Sequence, residues 1–462
     1  MPRWTLVQRL ASSTHLFPED PHRHLRCRGM TWEDEINPHS WLFLLAARQS
    51  VQAPSALAPQ RRLPRRTEVL LAMTVADKRK EYTKTDITMK RLSFLFALVA
   101  MLSSCGQKAL APYEERVAEQ LKIKVAVVYE DPVVTADGKR LHEVSRIGEW
   151  AYWNDPFEQV KVFERDMEAA TNGVVDFEIV MQVETPHFYT FKTNAEGAKE
   201  WLTADDIAAY CESRDVPGFL SEGMGFDYLQ LIEDYGFGKM RDAGELHEVW
   251  VYTHPGSCMF ESRLIGDGAF WCNSEGITKQ MGAKNDKLLP VMFFNYERTV
   301  DLALHSYGHR VESIMGKVYG HSEDEPWWLS PSCKSIEEMS PIQLFSAYQG
   351  VYGRFDEGYS QVGLVHFPPN GERDYDYSNT TPIKTYADEW MNYPQMEFSP
   401  EKARVVDNSE WVHEGGDQWG FMMWYFSHLP HFKGLDNHGK LNNWWHYIMD
   451  WNGALEQEKL LK

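Results

Sequence analysis

Four short runs rich in β-branched and aromatic residues, at 123–129, 174–183, 248–252 and 287–294, constrain this chain most, because each has strand composition and is too short for a stable helix. Helix-patterned stretches at 157–170, 205–213 and 228–235 separate the first three. The first of these stretches ends in Asn172-Gly173, a pair that accepts the left-handed conformation closing a helix. Strands that alternate with helices pack as a mainly parallel sheet covered by helices, so residues 123–320 are expected to form an α/β domain. From 321 to 462 the pattern changes to short helices dense in aromatics, joined by loops rich in Pro, Gly and Asp. The fold class expected is therefore α/β, a mainly parallel sheet core followed by a loop-rich, aromatic-rich α region packed on it. No internal repeat interrupts this order.

Residues 89–105 are of another kind. Met89 is followed by Lys90 and Arg91, then by an apolar run over 92–102, then by Ser103, Ser104 and Cys105. A basic start, a short apolar middle and a small-residue end are the marks of a secretory signal, and the run falls short of the about 20 apolar residues that span a bilayer. Leu102-Ser103-Ser104-Cys105 resembles the lipobox of bacterial lipoproteins. That resemblance implies cleavage before Cys105, diacylation of its thiol and tethering of the remaining chain to a membrane of the bacterial cell envelope, on the extracytoplasmic side. A signal works only at an N-terminus. Residues 1–88, rich in Arg (Arg61, Arg62, Arg65, Arg66) and without sustained periodicity, therefore read as an extension from a start assigned too early, disordered if translated. Residues 105–122 read as a tether running into a short helix.

Charge narrows the partners. From Cys105 onward the chain has 31 Lys/Arg against 58 Asp/Glu, more acidic than the −20 of the whole sequence. Such a surface repels nucleic-acid phosphates and anionic headgroups, so no nucleic-acid partner is expected. Beyond the lipid site four cysteines remain, Cys211, Cys258, Cys272 and Cys333. An oxidising compartment permits disulfides, and Cys258 with Cys272 is the preferred pair, buried thiols being the alternative.

The densest chemical pattern follows the fourth strand. Asn295 can cap a helix running from Tyr296 to about Val318. On a projection of about 100° per residue, Glu297, Asp301, Glu312, His305 and His309 share an arc of about 120°. Val300, Leu304, Tyr307, Val311, Ile314 and Val318 form the adjoining apolar face. Histidines at i and i+4 can place both imidazoles on one metal ion, and Glu312 three residues later can supply a third ligand. The competing reading keeps both histidines for structure, paired with Asp301 and Glu312.

His305-Ser306-Tyr307-Gly308-His309 resembles the zinc-peptidase motif His-Glu-x-x-His, with Ser306 standing where the family has its general base. The resemblance implies a zinc ion, and a base would then have to come from elsewhere, from Glu261 or Glu297. A broader resemblance runs through Gly268-Ala269-Phe270-Trp271-Cys272-Asn273-Ser274, Phe294-Asn295-Tyr296-Glu297-Arg298, the stretch from Ser306 to Ser313, and Asn442-Asn443-Trp444-Trp445. These blocks are similar to those of a family of uncharacterised extracellular bacterial and fungal proteins. In that family the position of His305 is often Glu while the equivalents of His309 and Glu312 persist, which implies weight on His309, Glu312 and Glu297. The family brings no activity with it.

Other groups are placed to converge on the same helix. His254 and Glu261 follow the third strand, at the carboxyl edge of the sheet where α/β proteins hold their sites. His366, His413, His428 and His431 lie in the aromatic region, each by itself read as a structural histidine. Trp327, Trp328, Trp411, Trp419, Trp424, Trp444, Trp445 and Trp451 serve either as core or as a face on which sugar rings stack. Asp374, Asp376, Asp407, Glu414 and Asp417 include candidates for a carboxylate pair acting on glycosides. Two functions follow: a lipid-anchored, metal-assisted hydrolase of extracellular peptide or glycan, or a non-catalytic envelope protein that binds glycan or another ligand.

Overall fold

In the computed structural model, residues 110–147, 151–207, 223–320, 341–350, 359–412 and 417–462 are described. The N-terminal extension, the signal-like segment, Cys105, Cys211, Cys333, Trp327, Trp328, His413 and Glu414 lie outside them. Five strands build the central sheet: β1 (Leu121–Tyr129), β2 (Val175–Glu184), β3 (Glu248–Thr253), β4 (Ser262–Ile265) and β5 (Leu289–Asn295). Their order is β2-β1-β3-β5-β4, with every neighbouring pair parallel except β5 and β4. The α/β, mainly parallel architecture expected from the alternation is the one observed.

Burial along the strands explains the continuous apolar runs. Parallel strands are covered on both faces, so their side chains alternate between two cores rather than between core and water. Val125, Val127, Tyr129, Trp250, Tyr252, Met292 and Phe294 join one core; Ala126, Val128, Val249, Val251 and Val291 join the other. Helices α2 (Tyr228–Tyr235) and α3 (Phe237–Ala243) cover the second core with Leu231, Ile232 and Phe237. The larger first core is covered by α1 (Pro156–Ala170) and α4 (Val300–Tyr319). Asp155 caps α1 by accepting from the Phe157 N–H at 2.8 Å, and Pro156 follows at the first helical position, where its missing N–H costs nothing. Phe163 of α1 packs against Trp250, Phe294 and Tyr307, which ties α1, the sheet and α4 into one apolar contact.

The C-terminal region adds α5 (Pro341–Tyr348), α6 (Asp417–Ser427), α7 (Trp444–Met449) and α8 (Trp451–Leu461), with long connections between. Most of its described tryptophans are core: Trp411, Trp444 and Trp445 are fully buried, as is Trp390, and Trp424 is nearly so. Their indole rings pack in the same apolar cluster as α4. Among the described residues no helix is long and apolar enough to cross a membrane.

One buried ion pair crosses the layers. Arg310 of α4 donates to Glu248 of β3, and neither side chain is exposed. The Trp250 indole N–H and the Tyr307 hydroxyl also donate to Glu248, each at 2.7 Å, and Arg310 donates to the Ile448 carbonyl of α7 at 2.5 Å. Removing one partner of such a pair strands a charge in apolar surroundings and costs about 3–5 kcal/mol.

Two sequence expectations are corrected. Cys258 and Cys272 form no disulfide. Cys272 is buried with its Sγ 3.1 Å from Ser262 Oγ, and Cys258 sits at a positive φ of 60°, its Sγ 3.9 Å from the Gly256 carbonyl. The helix after β5 begins at Val300, not at Tyr296. Asn295 turns its Oδ1 to the Glu297 N–H at 2.9 Å, and Asn154 donates to the carbonyls of Tyr296, Glu297 and Arg298, so these residues form a held loop and Glu297 lies off the helix face.

At the carboxyl end of β1 the fully buried Glu130 accepts from the Tyr189 N–H and the Thr253 hydroxyl. Burial pushes its carboxyl from 4.5 up to about 7, against the pull of those two hydrogen bonds. A folded-state value above the unfolded one means that this group's contribution to stability is intact below pH 4.5 and is lost as pH rises through 7. Glu130→Gln is therefore expected to gain on the wild type between pH 5 and pH 8 by a few kcal/mol in urea unfolding. Parallel stability curves for the two proteins over that range would refute it.

Candidate metal centre

Helix α4 carries His305 and His309 one turn apart, beyond the carboxyl end of β5. Their rings meet edge to face, with the two Nε2 atoms 3.1 Å apart. A third imidazole comes from far along the chain: His366 Nε2 lies 3.1 Å from His309 Nε2. Among the described residues these three form the only group of three or more His, Cys, Asp or Glu side chains whose ligand atoms converge, all within 4.8 Å of one another.

Glycines make this approach possible. Gly308 sits between the two histidines on α4, and a Cβ there would lie 2.6 Å from Val365 Cγ2, the neighbour of His366. Gly363 adopts a φ of +100°, where a Cβ would meet the Phe367 carbonyl at 2.5 Å. The bare helix surface and the tight turn together press the 363–367 segment onto α4. Glu312 fastens it by accepting from the Val365 N–H at 2.9 Å.

Chemically the three nitrogens are unusual neighbours. A ring nitrogen holds one proton or one lone pair, yet His309 Nε2 faces two others at hydrogen-bond distance. Glu312 accepts from His309 Nδ1 at 2.9 Å, which places the proton on Nδ1 and leaves the Nε2 lone pair pointing into the cluster. A carboxylate behind a ligating histidine is the usual support of a metal site. Burial, reinforced by His309, His366 and Arg298, holds His305 well below the ordinary imidazole range, so it stays neutral. Bonds of about 2.0–2.1 Å to one tetrahedral ion put ligand nitrogens about 3.3 Å apart, close to the separations seen. The trio can hold a metal ion. His305 is buried, whereas His309 and His366 keep 19% and 25% of their side chains exposed, so water reaches one side.

Glu261 stands on that cluster. Its carboxylate oxygens lie 3.8 Å from His309 Nε2 and 4.0 Å from His305 Nε2. Its backbone carbonyl accepts from Phe293 at the end of β5, and Asn273 donates to its side chain at 2.6 Å, so both ends of the residue are held. Ser306 is buried in the helix.

The residues expected from the sequence divide accordingly. His305, His309 and Glu261 come together. Glu312 is present but behind His309 rather than beside its Nε2, and the structural partner expected at Asp301 is instead bonded by Thr299 and Gln418. Glu297 is buried in the loop before α4 and is not a member of the cluster. His254 is fully buried with neither ring nitrogen hydrogen-bonded, and burial pushes it down to about 3. His431 is bonded by Tyr113 and the Leu429 carbonyl, and His428 faces Asp388. His366 was visible only as an isolated histidine; the glycine between two helical histidines is the one signal that something packs closely there.

Gly308→Ala tests the close approach. Helix propensity favours Ala by about 1 kcal/mol, but overpacking against Val365 costs about 1–3 kcal/mol. A net loss of about 1 kcal/mol is expected as a lower urea midpoint at unchanged slope, and a gain would mean that Val365 does not rest on this helix.

No protein-family model, curated protein or solved structure matches this chain.

Proposed function

We propose that the chain is a lipid-anchored, extracytoplasmic hydrolase that binds one zinc ion through His305, His309 and His366 and cleaves an acyl bond in extracellular peptide or glycan. The observation that carries the reading is the approach of His305 Nε2 and His366 Nε2 to His309 Nε2, each at 3.1 Å, with Glu312 behind His309. His305, His309 and His366 would hold the ion through three nitrogens, and zinc so held would supply Lewis-acid activation of water and of a carbonyl. Glu261 is the base in this reading: it takes the proton of the attacking water and returns it to the leaving group as the acyl bond breaks. The helical position that holds a base in zinc peptidases is filled here by Ser306, and Glu261 faces His309 from the loop between β3 and β4 instead. Cys105 supplies the anchor.

Elemental analysis of protein purified without chelators is expected to give about one zinc per chain, and much less for His309→Ala and His366→Ala. Glu261→Gln is expected to keep the zinc while losing hydrolysis by a factor on the order of 10²–10⁴. No transition metal in the wild type would end the reading. The anchor is tested apart from the metal: mass spectrometry of membrane-fraction protein is expected to find Cys105 N-terminal and diacylated, and an unlipidated Cys105 would overturn that half alone.

A further inference from the structure

We propose that Tyr375 is a fourth ligand of the metal centre, binding through its phenolate oxygen and closing the site at rest. The inference rests on the three-histidine reading and adds to it a coordination state that substrate must displace.

Its hydroxyl lies 3.2 Å from His366 Nε2, the same nitrogen that faces His309 Nε2 at 3.1 Å. One imidazole nitrogen cannot serve both neighbours through a single proton or lone pair. A shared ion resolves the conflict, because 3.1 and 3.2 Å are close to the spacing between ligand atoms around one tetrahedral zinc, about 3.3 Å for bonds near 2.0 Å. The Tyr375 hydroxyl meets the cluster at His366, whereas the Glu261 carboxylate meets it at His305 and His309.

The backbone is committed to this placement. Tyr375 is one of few described non-glycine residues with positive φ, at 57°, a conformation that persists only where its surroundings over-determine it. Those surroundings are present. The Tyr375 N–H donates to the His366 carbonyl at 2.8 Å, and its ring lies over those of His366 and His305, with centroids 4.5 and 5.8 Å away. On the far side, Asp376 accepts from Arg373, the Glu372 N–H and Asn379, and the buried Tyr377 hydroxyl donates to the Val365 carbonyl at 2.7 Å. The strain therefore aims one phenol at one point.

On binding, the O–H bond of Tyr375 breaks as the oxygen–metal bond forms, and the proton leaves to solvent on the exposed side of the cluster. A carbonyl or water entering the ion must then displace that oxygen or share the ion with it.

Copper(II) is the probe, because phenolate bound to it gives an intense ligand-to-metal charge-transfer band in the visible, at lower energy than the charge-transfer bands of imidazole and carboxylate. Full-length protein stripped of metal and given one equivalent of copper(II) is expected to show this band, and resonance Raman excitation within it to enhance phenolate ring modes. Tyr375→Phe is expected to keep about one copper per chain and lose the band. Copper bound by the wild type with no such band and no phenolate modes overturns the proposal while leaving the three-histidine site standing, as does an undiminished band in Tyr375→Phe. Failure of the wild type to bind copper or zinc at all overturns both. The Raman measurement needs no variant, so the outcome does not depend on how Tyr375→Phe folds.

Discussion

The ion pair between Arg310 and Glu248 is the constraint on which the arrangement of layers depends. A guanidinium taken fully out of water is tolerable only beside a carboxylate that balances its charge. Here Glu248 belongs to β3, Arg310 to α4, and the second acceptor of Arg310 to α7. Sheet, central helix and C-terminal region must therefore be in register for any of them to bury these groups. An apolar helix face could slide on a sheet at small cost, whereas an off-register Arg310 would leave two charges unpaired. The same residue fixes the rotation of α4 about its axis: with Arg310 and Tyr307 turned to β3, His305, His309 and Glu312 turn away from it.

That rotation explains why a site forms on the helix. The face turned away from β3 would be an ordinary polar stripe if it met water, but Gly308 opens it to the 363–367 segment. The half of the centre carried by α4 is thus positioned by a charge pair buried under it. The half carried by His366 and Tyr375 is positioned by hydrogen bonds to Glu312 and within the loop itself. Glu261 comes from a third direction, held at the end of β5 by its backbone. Three unrelated stretches of chain meet beyond the carboxyl edge of the sheet, where the strands end and loops are free to carry chemistry.

What could be read from the sequence follows from range. The strands and α1 declared themselves through local composition, because both faces of a parallel sheet are buried and a run such as Val125 to Val128 is then apolar throughout. His305 and His309 were legible because helical spacing is local too. Glu312 was legible as a neighbour but not in its role: which nitrogen of His309 it meets is a matter of ring orientation, which spacing does not determine. The start of α4 was misplaced because Asn295 has the composition of a cap, while Asn154, far upstream, draws off the carbonyls of residues 296–298. His366 and Tyr375 were least legible of all. They reach the site through a turn that Gly363 permits and a hollow that Gly308 leaves, and neither effect produces a period in the sequence.

On the proposed reading, ligation itself becomes part of the fold. A metal that binds the native chain and not the unfolded one adds its binding free energy to stability by mass action. Because its ligands come from α4 on one side and from the 363–377 segment on the other, that energy would act where the C-terminal region rests on the α/β layer. The apolar contacts of Val365 against α4 place His366 before any ion arrives, so the ordering cost of the site is met in the fold rather than at binding. The hydrogen bond from the Tyr375 N–H to the His366 carbonyl fixes the left-handed backbone of that residue in the same way, so the phenol too is placed by the fold and not by the ion.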